Sequence, residues 1–441
     1  MLTWKRTRTI SALAFPAGIA LSLTLTMSLI DLAMVGRLGT HVVAAVGLAV
    51  FSNTFVLAFV MGIAPAVQGL VARRRGAGST EPNCLPLNAG LLIALLVGLP
   101  LTILCYVFAP LLFSVISSDP EVTRVGVSFL RTLYTGIIAV GMQSAFRGYW
   151  YGMEKPKVNM AIIFFMICLN IFGNYILIFG KLGAPALGAT GAAVSTVVSL
   201  YVGATINFAL VYFRFRKDGF LSARPQRSLL ERVFKMGLPA TMQEFFYSAG
   251  YITFFWIVGQ VGTADLAAAN VLVRITMTLV LLAMSLATAS ATLVSKTVGE
   301  GDLEEAAQWG WDAGKLGVIV ISLLGLPLFL FPEWFLSIFL SDPHAISIAV
   351  IPLRLVAVTT GVGSLIYIFA YTLYSVGDGK RVVMVSFSTQ WLFFLPAAWI
   401  VGPYLKYGLL QIWLVQMIYG VLATALITAI WAGGGWKKIK I

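Results

Sequence analysis

The chain has 441 residues, 59% of them hydrophobic and only 11% charged, with a mean hydropathy of +0.92. A soluble protein of this length could not cover so much apolar surface with so few charges, which excludes a soluble enzyme or binding module. The formal net charge of +13 suggests a nucleic-acid partner until its distribution is read: the basic residues sort by loop, as topology and contact with anionic lipid require.

Apolar runs of about 20 residues or more recur between Gly, Pro and charged breaks, and alternating strands of about 10 residues are absent, so the reading is all-α and membrane-spanning. Hydropathy places twelve spans at 10–35, 43–71, 88–116, 122–151, 158–179, 189–213, 237–260, 266–296, 313–340, 345–376, 382–402 and 408–432. No soluble domain is expected outside them.

The first span follows a basic head, MLTWKRTRT, like that of a signal peptide. Its ALA triplet precedes the long apolar run instead of following it, so the segment is expected to remain as an uncleaved span. Asp31 stands in this span, in MSLIDLAMVG. A charge at mid-bilayer costs about 2.5 to 3.5 kcal/mol on insertion scales, so such a carboxylate is either kept for function or held by interhelical hydrogen bonds for packing. The second and third spans flank the basic loop VARRRGAGST, and the fourth carries Gln143. In the fifth, LNIFGNYILIFG puts Asn170 and Asn174 four apart on one helix face. Two amide oxygens near a carboxylate could ligate a sodium ion or bond a protonated acid; equally, they could join helices. After the sixth span comes RFRKDGFLSARPQRSLLERVFK, a charged linker whose amphipathic end is expected on the cytoplasmic surface.

Gln243 and Glu244 lie a little over a turn beyond Pro239 in the seventh span, where Glu244 could accept a proton or a cationic substrate, or face cytoplasmic water. The eighth carries Asn270 and Arg274, and Arg274 is expected to pair with a carboxylate or with carbonyls. Tyr367, Tyr371 and Tyr374 in the tenth span and Gln390 in the eleventh could line a cavity or simply pack. Lys5, Arg6, Arg8, Arg73 to Arg75, Arg147, Lys155, Lys157, the linker cluster, Lys380, Arg381 and the terminal lysines fall on one side, which places both termini in the cytoplasm. Cys84, Cys105 and Cys168 lack CxxC spacing and suggest neither disulfides nor zinc.

An internal repeat organises the spans. GRLGTHVVAAVGLAV from Gly36 aligns with GQVGTADLAAANVLV from Gly259, an offset of 259 minus 36, or 223. Without a gap the same offset pairs Pro16 with Pro239, Met61 with Met284, the two SDP triplets at Ser118 and Ser341, Arg131 with Arg354, and Lys157 with Lys380. Two six-helix halves, 1–213 and 237–441, joined by a linker over 214–236, are therefore expected to be parallel repeats around a midplane cavity. Asp31 pairs with Phe254, so its carboxylate is not part of the duplicated scaffold.

Enzyme signatures fail in specific ways. GWDAGKLG lacks the leading Gly and the trailing Ser or Thr of a phosphate loop, His41 and His344 lie in loops, and no HExxH or GxSxG occurs. No catalytic residue, metal centre or cofactor is expected.

With these residues in view, IDLAMVGRLGTHVVAAVGLA, LVARRRGAGS, RGYWYGMEKPK, LNIFGNYILIFGKLGAPALGATGAAVST, GLPATMQEFF, VGTADLAAANVLVRI and LYSVGDGKR resemble the multidrug and toxic compound extrusion (MATE) family, most nearly its NorM-type bacterial branch, over almost the whole chain. The resemblance implies a V-shaped transporter of twelve spans in two lobes, monomeric, in the bacterial inner membrane, exporting small organic and often cationic drugs in exchange for protons or sodium. It implies a first-lobe cation site at Asp31, Asn170, Asn174 and Thr196, where some relatives carry Asp in place of Asn174. In the second lobe relatives use a Glu in span seven and an Asp in span ten. Here Glu244 stands about a turn from the expected position, which falls on Tyr247, and span ten has no carboxylate, so a full second cation site is not expected. The substrate cavity would draw on Glu244, Gln243, Gln143, Asn270, Tyr367 and Tyr371. The rival reading is a lipid-linked saccharide flippase of the same superfamily, which an Arg-lined cavity would favour.

Overall fold

A computed structural model of the chain describes residues 3–78, 82–221 and 225–439; part of the expected linker, 222–224, and Lys440 of the basic set lie outside the described residues. In chain order the α-helices are α1 (Trp4–Val35), α2 (Thr40–Met61), α3 (Ile63–Gly76), α4 (Leu85–Ile116), α5 (Pro120–Tyr134), α6 (Ile137–Gly152), α7 (Pro156–Phe179) and α8 (Ala189–Phe215). Then follow α9 (Arg227–Gly259), α10 (Thr263–Glu300), α11 (Leu303–Leu330), α12 (Pro332–Ser337), α13 (Pro343–Ser375), α14 (Gly379–Phe387), α15 (Leu395–Trp399) and α16 (Leu409–Ala432). Two π-helical turns, Ser388–Phe394 and Ile400–Tyr404, continue α14 and α15 into one span.

Local chemistry explains the boundaries. Each SDP triplet starts a helix: Asp119 accepts from the N–H groups of Glu121 and Val122, Asp342 accepts from His344, and the following proline occupies the first turn, where no N–H is needed. These backbone donors hold the Asp119 carboxyl below the ordinary carboxylate range. At the joints before α7 and α14 the duplicated sequence repeats one bond: Lys155 N donates to Trp150 O and Asp378 N to Leu373 O, each at 2.8 Å. The preceding residue is left-handed in both, Glu154 at φ 57° and Gly377 at φ 94°.

Among the described residues, with α2 and α3 taken together and α14 and α15 likewise, ten helical segments are long and apolar enough to cross a membrane, or eleven if α5 and α6, bent by 42°, form one span; the sequence reading expected twelve. The remaining segment, 237–260, is helical within the 33 residues of α9, but Gln243, Glu244, Tyr247 and Tyr251 dilute its apolar run. The expected span over 313–340 begins earlier, at Leu303, where the Asp302 side chain accepts from Glu305 N at 2.9 Å, and it breaks at Phe331 before Pro332. Residues 227–236 of the expected linker form the first turns of α9.

The helices form two compact units, Ile19–Thr241 and Met1–Gly18 with Met242–Ile441. The two breaks, 18/19 and 241/242, are 223 residues apart, the offset of the repeat. Side-chain packing obeys the same offset: a methyl on Gly18 would come within 3.3 Å of Ser285 in one unit, and a methyl on Gly62 would overlap Thr241 in the other, with 18 plus 223 giving 241 and 62 plus 223 giving 285.

Within the first of these units α7 packs on α8 and α3 on α6, and the helix backbones approach closely at glycine; a methyl on Gly148 would overlap the Ala64 carbonyl. In the other, α13 packs against α10, α11 and α16 around an aromatic core that includes Phe254, Phe394 and Trp413. Its α1 segment is held by Arg6, which bridges Glu305 (2.7 Å) and Asp312 (2.6 Å) and lies 4.0 Å over the Trp309 ring, three positions on one face of α11.

Candidate cation site

In the unit Ile19–Thr241, three helices bring four polar side chains together. α1 supplies half-buried Asp31, α7 supplies Asn170 and Asn174, both fully buried, and α8 supplies half-buried Thr196. Four-residue spacing puts the two asparagines one above the other, and Gly173 lets α8 approach: a methyl there would overlap Ser195 Oγ.

A continuous chain of hydrogen bonds links the four. Asn174 Nδ2 donates to Asp31 Oδ1 at 2.5 Å and to Asn170 Oδ1 at 3.3 Å, and Asn170 Nδ2 donates to Thr196 Oγ1 at 3.2 Å. Thr196 Oγ1 in turn donates to Ala192 O at 3.0 Å. Ser195 Oγ donates to Asn170 O at 2.8 Å and fixes the asparagine backbone; the sequence reading passed over Ser195, although it adjoins Thr196 in AVSTVV. One atom is left over. Asn174 Oδ1 is buried and has no hydrogen-bond partner among the described residues, a condition that costs about 1–3 kcal/mol unless a donor or a cation arrives.

The duplicated half holds nothing of this kind at the corresponding positions. Asp31, Asn170, Asn174 and Thr196 map, by adding 223, onto Phe254, Phe393, Ala397 and Tyr419. Phe254 is 2% exposed and packs 5.6 Å from Phe394, which stacks 5.0 Å from Tyr419. In that unit Tyr247 Oη donates to Tyr251 Oη at 3.3 Å, Tyr367 adjoins both, and Glu244 is an exposed residue of α9 near Tyr367 and Tyr374.

Gln143 is engaged on both sides of its amide, donating to Leu200 O at 3.3 Å and accepting from Asn207 Nδ2 at 3.0 Å, and Asn207 in turn accepts from Trp150 Nε1. Asn270 is exposed and donates to Leu266 O in its own helix. Gln243 and Tyr371 are half-buried. Gln390 is buried in a π-helical turn against Gly250. Arg274 departs from expectation: it is exposed and forms no ion pair with a carboxylate among the described residues.

Long apolar helices, duplicated at a fixed offset and enclosing a polar cluster inside a span, define a multi-pass membrane transporter. The MatE family model matches residues 16–176 and again 239–400, starts that are themselves 223 apart, and the chain belongs to this family of transporters, which are not enzymes. It is 26% identical over 436 residues to the probable multidrug resistance protein NorM of Thermotoga maritima, covering 97% of this chain and 92% of that one. To the multidrug resistance protein MdtK of Yersinia pseudotuberculosis it is 25% identical over 401 residues, 90% of this chain and 87% of the relative. The fold matches that of a MOP superfamily transporter from Pyrococcus furiosus with a TM-score of 0.87 at 22% identity, over 98% of this chain and 97% of the other.

Proposed function

We propose that this protein is a secondary active multidrug exporter of the NorM-like branch, exchanging small organic and often cationic drugs for protons or sodium ions by alternating access. Its twelve spans form two six-helix lobes, 1–213 and 237–441, joined by the basic linker 214–236, in a bacterial inner membrane with both termini cytoplasmic. The sorting of basic loops supports that orientation, and the multidrug-resistance names of the relatives support the substrate class.

The observation that carries the coupling role is the chain Asp31, Asn174, Asn170, Thr196 with its unpartnered carboxamide oxygen. A lone carboxylate within a span is cheapest when neutralised. A proton on Asp31 would donate to an asparagine oxygen, and a sodium ion would find carboxylate, amide and hydroxyl oxygens, the hard ligands suited to such a cation. Either cargo ion replaces the bond that Asn174 makes to the charged acid. Ion and drug are then exchanged if they bias one conformational equilibrium in opposite directions. On the substrate side, Glu244 with Gln243, Tyr367 and Tyr371 supplies negative charge and aromatic faces for an organic cation, while Gln143 and Asn270, their amides engaged locally, serve packing.

Purified protein in proteoliposomes, loaded with a fluorescent organic cation and given proton or sodium gradients separately, tests the reading. Efflux should follow one imposed gradient, and Asp31→Asn should abolish it with the folded protein still in the membrane. Gradient-driven efflux unchanged in Asp31→Asn would refute the assignment.

A further inference from the structure

An apolar groove of about 500 Å³ runs along the outside of α7 and α8, within one unit, and has no part in the cation site. Ala161 and Phe165 line it from α7, Ile206 and Leu210 from α8, and Lys157 stands at its end. Both rows follow the four-residue helical spacing, 165, 161, 157 on one helix and 206, 210, 214 on the other, so the row on α8 also ends in a cation, Arg214. The helix ends carrying these cations adjoin, since Lys155 Nζ lies 4.7 Å over the Phe215 ring.

Lys157 and Arg214 are both exposed, and among the described residues neither pairs with a carboxylate; the nearby Glu154 pairs with Arg75 at 3.3 Å. Helix stability does not explain Lys157. It occupies the first turn of α7, where the helix dipole disfavours a cation and favours an anion. The repeat supplies a comparison: the counterparts of Lys157 and Arg214 are Lys380 and Lys437, but Lys437 is already paired with Glu304 at 2.6 Å, and the apolar row there is reduced to Ala429 and Gly433.

We propose that this groove is a binding site for one anionic glycerophospholipid, an acyl chain lying along Ala161, Phe165, Ile206 and Leu210 and the phosphate held between Lys157 and Arg214. Charge complementarity selects the occupant: an apolar furrow in a membrane-spanning chain meets acyl chains of every lipid, but two unpaired cations at its mouth prefer a headgroup with net negative charge.

The full-length protein in detergent, titrated with phosphatidylglycerol or with phosphatidylcholine of the same chain length and observed by native mass spectrometry, decides it. Phosphatidylglycerol should be retained more strongly than phosphatidylcholine. Lys157→Ala and Arg214→Ala should each weaken that retention by roughly fivefold, Lys157→Arg should preserve it, and Ala161→Trp, which fills the groove from an exposed position, should remove it with an unaltered gel-filtration profile. Lys380→Ala should change nothing. Equal retention of the two lipids, or phosphatidylglycerol binding indifferent to Lys157→Ala, Arg214→Ala and Ala161→Trp, would overturn the proposal.

Discussion

Asn174 donates to Asp31 at 2.5 Å while its own carboxamide oxygen, buried on the other arm of the same amide, accepts from nothing among the described residues. The amide therefore serves the charged form of Asp31, and the vacant acceptor serves whatever neutralises that charge. Asn174→Leu keeps the volume but removes both functions. The lost donor stabilised the ion-free carboxylate by about 1.5–3 kcal/mol, whereas the lost acceptor would have served the protonated acid by only about 1 kcal/mol, so affinity for a coupling proton should rise by up to roughly 30-fold, read as a fall in the proton concentration needed for half-maximal counterflow. Asn174→Asp, which supplies a second carboxylate, should retain transport with altered ion dependence. Normal coupling in Asn174→Leu would leave the asparagine as packing alone.

Thr196 lies one step further along the chain, its hydroxyl accepting from Asn170 and donating to Ala192 O. Thr196→Val deletes the acceptor and leaves the Asn170 amide short of a partner, a loss of about 1 kcal/mol. Counterflow efficiency should drop about fivefold, and Thr196→Ser should restore it. If valine behaves as wild type and serine does not, the branched carbon matters and the hydroxyl does not.

How much of this was legible in the sequence depended on the range of the interaction. The repeat needed only an alignment offset, and the capping role of Asp119 and Asp342 is a local effect of side chain on adjacent backbone. Pairing Asn170 with Asn174 needed only the helical period. Joining them to Asp31, 143 positions away, and to Thr196 came through family resemblance, because no periodicity specifies which helices adjoin. Ser195 and Gly173 escaped altogether: a serine bonding a carbonyl across helices and a glycine that admits a neighbouring side chain look like any small residues in a span. Length and polarity diverge at the seventh expected span, since α9 is 33 residues long yet carries Gln243 and Glu244. Arg274 was expected inside and paired because it sits mid-span, but its helix turns that position to an exposed face.

Gly173 bears on the site without touching the cargo. A methyl group there would overlap Ser195 Oγ, so α7 and α8 must separate or Ser195 must turn away from Asn170 O. Gly173→Ala should therefore lower the melting temperature and also weaken ion dependence, because the Asn170 to Thr196 bond at 3.2 Å spans the same interface. Adding Ser195→Ala to Gly173→Ala should recover stability by making room. Full ion dependence in Gly173→Ala alone would show that the interface yields elsewhere.

The duplicated half tests whether the carboxylate depends on its surroundings or only on its place in the fold. Phe254 occupies the position equivalent to Asp31, but it lies among Phe394, Trp413 and Tyr251, and its equivalents to the asparagines are Phe393 and Ala397. Phe254→Asp would put an acid where the positions equivalent to the two asparagines carry no amide, at a cost above the roughly 2.5 to 3.5 kcal/mol of a mid-span charge because a large core side chain is lost as well. Phe254→Leu loses only packing and should cost about 1–2 kcal/mol. Thermal unfolding of the detergent-solubilised variants should therefore rank wild type above Phe254→Leu and that above Phe254→Asp, with the last poorly recovered and driving no additional ion exchange. A well-folded Phe254→Asp that moved a second ion per cycle would mean that the repeat scaffold alone makes the site, and that the asparagine chain in the first half is dispensable.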